Sequence, residues 1–446
     1  MFDEISDARL HSFMRKWIDA NDQSLKTKLA SVYFCGYSPL KIPILSDNLG
    51  VYIVANDVEA STFGTTHCNS VWACPKCEAK VMSAYGERIA CAIEALRKKH
   101  LSAMMFTLTI PHMSFMSCHD SYEVLQKAWR KFTHSYKKQQ KRTYKRKDGR
   151  ETTYYVNNNQ ACKFMNELDI KHCVRVYEVT WGKHSFHPHI HGLWWTHDKN
   201  WHKIPDYEEK LHIFWFRCIE IAARAYWKDK LKDEEKANKL VDELCAEWRK
   251  YPTTGYRAFY LSKNPDGSIR KAKSSYYIVG WSADKEIAQL SRKQAHEDHL
   301  TPHQILHKAF LSDNPEEVNK LMKIYFEYAL ETKGHCRVCF SPGLNQIVEQ
   351  WKKTNQYMQM LKKRLTDKAE HCGKRRVVAW FSKQQWLHLC YLDSLEYNHH
   401  VIANILDMAR APNANELIEL YCMQLGVDIS SNIIANKEWV LKCICS

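Results

Sequence analysis

The segments Tyr177-Glu178-Val179-Thr180-Trp181, Gly182-Lys183-His184 and His187-Pro188-His189-Ile190-His191-Gly192-Leu193 decide how this chain is read. Val174 to Trp181 and His187 to Trp195 are rich in β-branched and aromatic residues and predict two strands joined by a short turn at Gly182-Lys183-His184. Residues i and i+2 of a strand share a face, about 6.6–6.8 Å apart along it. His189 and His191 can therefore aim imidazole nitrogens at one ion, while Ile190 points into a core. His187 shares their face beside Pro188, as a ligand or as a neighbour of the site. Folding about the turn brings Glu178 roughly opposite His189, where cross-strand Cβ atoms approach to about 4.5–5.5 Å. Two histidines and one carboxylate suit Mn²⁺ or Mg²⁺ and leave positions open for phosphate oxygens and water. The bland alternative is a pair of ordinary histidines on a half-wet sheet.

Outward from this hairpin the chain changes texture. With 446 residues it is too long for one core, and 45% apolar with 12% aromatic residues is ample for burying several. Three regions are expected: 1–90 with the closest cysteine spacing, 91–295 mixing strands and helices, and a mostly helical 296–446 punctuated by Pro302, Pro315, Pro342 and Pro412. Met104 to Ile110 reads as a strand ended by Pro111. The fold class is α+β. No run approaches 18 uncharged apolar residues, so no membrane span is expected. The start lacks the pattern of a signal peptide, which makes the cytoplasm the default compartment.

In such a compartment the 17 cysteines are expected as thiols and metal ligands rather than as a disulfide framework. Cys68, Cys74 and Cys77 supply three thiolates at short spacing, with Pro75 shaping a knuckle. A structural Zn²⁺ wants four ligands, and the fourth is Cys35 or, alternatively, His67. Cys336 and Cys339, with His335 before them and His371-Cys372 later, are a weaker second candidate.

The formal charge of +15 favours a polyanionic partner, most often nucleic acid. Lys137, Lys138, Lys141, Arg142, Lys145, Arg146, Lys147 and Arg150 stand against the lone acid Asp148, around a hairpin turn at Lys147-Asp148-Gly149. Interleaved with Tyr136, Tyr144, Tyr154 and Tyr155, they suit phosphate contacts plus base stacking; a solvated basic hairpin is the alternative.

His189-Ile190-His191 resembles the His-hydrophobic-His motif of HUH endonucleases, and its surroundings resemble the replication initiator (Rep) proteins of rolling-circle plasmids. Phe106-Thr107-Leu108-Thr109-Ile110-Pro111-His112 looks like that family's first motif, and Cys68 to Cys77 like its cysteine motif. Thr332-Lys333-Gly334 and Ser341-Pro342-Gly343-Leu344 look like a later stretch of some members. The resemblance implies an HUH core of antiparallel sheet flanked by helices. It also implies binding to single- and double-stranded DNA at a plasmid origin, and recruitment of a host helicase.

It implies an active tyrosine as well. Tyr277 of Ser274-Ser275-Tyr276-Tyr277-Ile278-Val279-Gly280-Trp281 matches the family's first tyrosine, with Tyr276 as the alternative. Gly280 replaces the usual lysine, and Trp281, where some members carry a second tyrosine, cannot be a nucleophile. On a helix Lys285 would share a face with Tyr277 and could restore the charge. The implied reaction leaves a 5′-phosphotyrosine and a free 3′-OH, and can reverse to rejoin the strand. Other readings are a relaxase, a transposase, or a DNA-binding repressor with an inactive site.

Overall fold

The computed structural model describes residues 6–37, 39, 50–133, 137–145, 151–159, 169–197, 208–251, 253–258, 262–263, 269–270, 299–359, 361–362, 375–395, 400–430 and 432. Two units interleave along the chain: residues 1–82, 303–333 and 353–446 form one, and 83–302 with 334–352 the other. The expected third segment is shared between the units.

In chain order the elements begin with α1 (Asp7–Asn21), α2 (Gln23–Lys28), α3 (Ala30–Tyr33), β1 (Val51–Ala55), β2 (Ala60–Phe63) and α4 (Pro75–Arg97). There follow β3 (Leu101–Thr109), α5 (Cys118–Thr133), β4 (Lys137–Lys145), β5 (Glu151–Asn159), β6 (His172–Gly182) and β7 (Ser185–His197). Next come α6 (Glu208–Leu231), α7 (Glu234–Trp248), β8 (Thr254–Ala258), β9 (Ser262–Lys263), β10 (Ile269–Arg270) and β11 (His299–Leu300). The chain continues through α8 (Pro302–Leu311), α9 (Pro315–Glu331), β12 (Val338–Phe340) and α10 (Leu344–Lys352). It closes with β13 (Arg376–Phe381), α11 (Lys383–Ser394), α12 (Val401–Met408) and α13 (Ala414–Gln424). The fold is α+β with antiparallel sheets. No helix among the described residues is long and apolar enough to cross a membrane.

In the second unit the main sheet runs β8-β3-β7-β6, and β11 and β12 both pair with the outer side of β6. The expected hairpin is present, with only Lys183 and His184 between the paired Gly182 and Ser185. Ser185 adopts a left-handed backbone, φ 79°, and its hydroxyl donates to the Met116 carbonyl at 2.9 Å. β7 is an inner strand and is buried along most of its length. One face packs under α5, where Phe106 stacks on Trp194 at 4.1 Å and Phe132 stacks on the same ring at 6.1 Å. Burying such rings contributes about 1.5–3 kcal/mol each. Gly192 makes this packing possible: a Cβ there would lie 2.4 Å from both the Phe106 ring and the Val174 carbonyl.

The first unit is built on a smaller antiparallel sheet, β13-β1-β2. Its core joins Val51, Ile53 and Phe381 to Trp386, Ile402, Ile405 and Ile418 from the last helices. α9 starts on Asn314, whose side chain accepts from the Glu316 and Glu317 amides, with Pro315 in the first turn. α11 starts on a reciprocal pair of bonds between Ser382 and Gln385. Helices dominate the described part of 296–446, as expected. The strand β13 was not anticipated, and β12 and β13 each serve a sheet begun far earlier in the chain.

Candidate metal centres

Glu178 lies on β6 and pairs with His189 on β7; Val176 pairs with His191. The alternation of the strand puts Glu178, His189 and His191 on one face. Ligand atoms of the three lie within 4.8 Å of one another. Glu178 Oε2 accepts a hydrogen bond from His189 Nε2 and lies 3.1 Å from His191 Nε2. Glu178 and His189 are buried, and His191 is partly so. Burial alone would raise the Glu178 carboxyl, but the charge of His189 and hydrogen bonds from both histidines hold it well below the usual carboxylate range. Burial likewise works against charge on His189, and Glu178 outweighs it, so the imidazole sits above its ordinary value. Two imidazoles and a carboxylate converging from rigid strands can hold a divalent cation.

Both rings are anchored from behind. His189 Nδ1 donates to the His187 carbonyl at 3.2 Å, and His191 Nδ1 is 2.9 Å from Thr107 Oγ1 on β3. β3 runs antiparallel to β7, pairing Thr107 with His191 and Thr109 with His189. Beyond the site the row of imidazoles continues. His187 is 5.3 Å from His189, stacks on His112 at 4.6 Å, and is 5.7 Å from His299. His187 therefore neighbours the converging group and is not part of it. Burial and the surrounding imidazoles push His187 well below its ordinary value and His112 down to about 4.

The second group is Cys35, Cys68, Cys74 and Cys77, whose ligand atoms also lie within 4.8 Å of one another. Cys35 follows α3, Cys68 lies in the loop after β2, and Cys74 and Cys77 bracket the start of α4, where the Glu78 amide donates to the Cys74 carbonyl at 2.9 Å. Cys35 and Cys77 are 3.3 Å apart at sulfur. The Cys68 amide donates to Cys35 Sγ at 3.4 Å. The surrounding cysteines push Cys35 well below the ordinary thiol value and push Cys68 and Cys74 above it. His67 Nδ1 stands 3.9 Å from Cys77 Sγ and 4.0 Å from Cys35 Sγ, and these contacts raise it to about 9. Four sulfurs this close suit a tetrahedral cation, since a Zn–S bond of about 2.3 Å implies sulfurs a little under 4 Å apart. Of the two fourth ligands read from the sequence, Cys35 is in the group and His67 lies beside it.

Tyr276, Tyr277, Lys285, Arg146, Lys147, Arg150, His371 and Cys372 lie outside the described residues. Lys137, Lys138, Lys141, Arg142 and Lys145 occupy β4, which pairs with β5 from Lys137–Asn159 to Lys145–Glu151. Cys339 lies on β12 and Cys336 just before it, and neither joins a metal-competent group among the described residues. Sequence reading named Thr107 and His112 only within a motif, without a role, and missed His299. Strand alternation on Phe106-Thr107-Leu108-Thr109 could have put Thr107 and Thr109 on one face, but nothing local says which strand β3 joins. No protein family, curated protein or solved structure was found to match this chain.

Proposed function

We propose that this chain is a metal-dependent, tyrosine-using DNA nickase of the HUH type that initiates rolling-circle replication of a plasmid. The observation that carries this reading is the convergence of Glu178, His189 and His191 from adjacent strands onto one point. Support also comes from the Cys35, Cys68, Cys74 and Cys77 cluster, from β3 beside the histidine strand, and from the formal charge of +15.

The donor set of two nitrogens and one carboxylate oxygen fits Mn²⁺ or Mg²⁺. Such an ion, when bound, polarises the scissile phosphate and offsets charge that builds on it during attack. Glu178 supplies negative charge to the site, and His189 and His191 present Nε2 toward it with their Nδ1 atoms held from behind. Tyr277, with Tyr276 as the alternative, is the nucleophile of this proposal. Its phenol oxygen forms a bond to phosphorus, the bond to the 3′-oxygen breaks, and that oxygen leaves as 3′-OH. The 5′-phosphate stays on the tyrosine as an ester, so a later 3′-OH can reverse the step. Lys285 is assigned the task of favouring the phenolate. The four cysteines are assigned a structural Zn²⁺. The basic residues of β4, with Arg146, Lys147 and Arg150, are assigned to the DNA backbone, and a host helicase is the expected protein partner.

The test is a supercoiled plasmid bearing the cognate origin, incubated with Mn²⁺ and resolved on a denaturing gel. Open circles carrying covalently attached protein support the proposal. Nicking that persists unchanged in His189→Ala and His191→Ala variants overturns the site.

A further inference from the structure

We infer that Thr107 is a positioning residue for the proposed ion, holding the His191 ring so that Nε2 faces Glu178. The inference rests on the metal reading of Glu178, His189 and His191.

The two histidines are anchored differently. His189 is held within its own strand, by the carbonyl of His187 two residues back. His191 is held from the neighbouring strand, by the hydroxyl of Thr107, its register partner on β3. The Thr107 hydroxyl reaches the ring from the strand next door, across the β3–β7 pairing. A hydroxyl can donate or accept, and it therefore serves either tautomer of the imidazole. Without such a partner a half-turn of the ring about Cβ–Cγ puts Cδ2 in the place of Nδ1 and Cε1 in the place of Nε2 at nearly equal volume, and a carbon then faces Glu178 in place of the nitrogen. Thr109 lies opposite His189 in the same register, but its ring nitrogen is already taken by the His187 carbonyl. One threonine of the pair is thus singled out.

Partners behind a metal-bound histidine typically govern affinity by 10–100-fold. The experiment titrates Mn²⁺ into wild-type, Thr107→Val and Thr107→Ser proteins and follows free Mn²⁺ by electron paramagnetic resonance. Bound zinc and circular dichroism serve as checks on the fold. Thr107→Val keeps the shape and loses the hydroxyl; its Mn²⁺ affinity is expected to fall by about 10–100-fold. Thr107→Ser keeps the hydroxyl and is expected to bind like wild type. In the nicking reaction the Mn²⁺ concentration for half-maximal rate should rise in Thr107→Val while the rate at saturating Mn²⁺ is retained. Thr107→Ala repeats the hydroxyl loss if valine strains the strand. Wild-type affinity in Thr107→Val overturns the inference, as does an equal loss in Thr107→Ser, which would place the effect in packing. A wild-type protein that binds no Mn²⁺ overturns the metal reading itself, a result distinct from either.

Discussion

Glu178 stands opposite His189 across the β6–β7 hairpin, and its Oε2 is shared between His189 Nε2 and His191 Nε2. One carboxylate oxygen facing two imidazoles in a largely buried site is an arrangement in which a divalent cation would take the place of the hydrogen-bonded protons. Glu178→Gln keeps the size and removes the charge. It is expected to weaken Mn²⁺ binding by more than the roughly 10–100-fold typical of residues that only support a ligand. Calorimetric titration of Mn²⁺ into the variant checks this, and unchanged affinity would remove Glu178 from the site.

The cysteine cluster separates two residues that the sequence left as alternatives. Cys35→Ser should lose stoichiometric zinc, because Cys35 is one of four converging sulfurs. His67→Ala should retain it, because His67 lies beside them at 3.9–4.0 Å. Zinc release by a thiol-reactive reagent, read with a colorimetric chelator, gives the stoichiometry. The opposite pattern would make His67 the ligand.

Gly192 is the residue between the site and the aromatic core. Gly192→Ala puts a methyl 2.4 Å from the rigid Val174 carbonyl as well as from Phe106, so the strand must shift. The expected loss is about 1–3 kcal/mol in urea unfolding, with weaker Mn²⁺ binding because His191 is adjacent. Wild-type stability in this variant would mean that β6 and β7 are not packed as described.

Stability below neutral pH should depend on His11. Burial, with Lys76 nearby, lowers this imidazole to about 3, and its Nε2 donates to the Val32 carbonyl at 2.7 Å. The unfolded chain takes up a proton near the ordinary histidine value of about 6.5 while the folded chain does not. The unfolded state therefore binds more protons between those two values, and stability falls as the pH drops from about 6.5 toward about 3. Each pH unit inside that window removes about 1.4 kcal/mol through this residue. The difference in urea midpoint between wild type and His11→Gln, measured across pH 4–8, should be flat above about 7 and change below about 6.5. A difference that is constant throughout contradicts the assignment.

How much of this was legible follows from contact order. The hairpin was readable because a two-residue loop between Gly182 and Ser185 fixes every pair along it, so Glu178 could be placed near His189 from spacing alone. Cys68, Cys74 and Cys77 were readable for the same local reason. Cys35 was preferred over His67 without a local signal to fix it, since 33 residues separate it from Cys68 and no periodicity spans them. Thr107 sits 84 residues before His191, and the pairing of β3 with β7 has no local signature. β13 is a short apolar run that becomes a strand only by pairing with β1, more than 300 residues earlier. The interleaving of the two units was hidden for that reason.

The central claim is that the Glu178, His189 and His191 site cuts DNA through a covalent tyrosine ester. Its most direct test uses single-stranded DNA spanning the nick site of the cognate origin, labelled separately at each end and incubated with protein and Mn²⁺. Denaturing electrophoresis should show the 3′-end label carried on the protein and the 5′-end label released on a fragment ending in 3′-OH. The adduct should be absent in His189→Ala and in Tyr277→Phe. No adduct with wild type, or one in which the 5′-end label stays on the protein, would contradict the account.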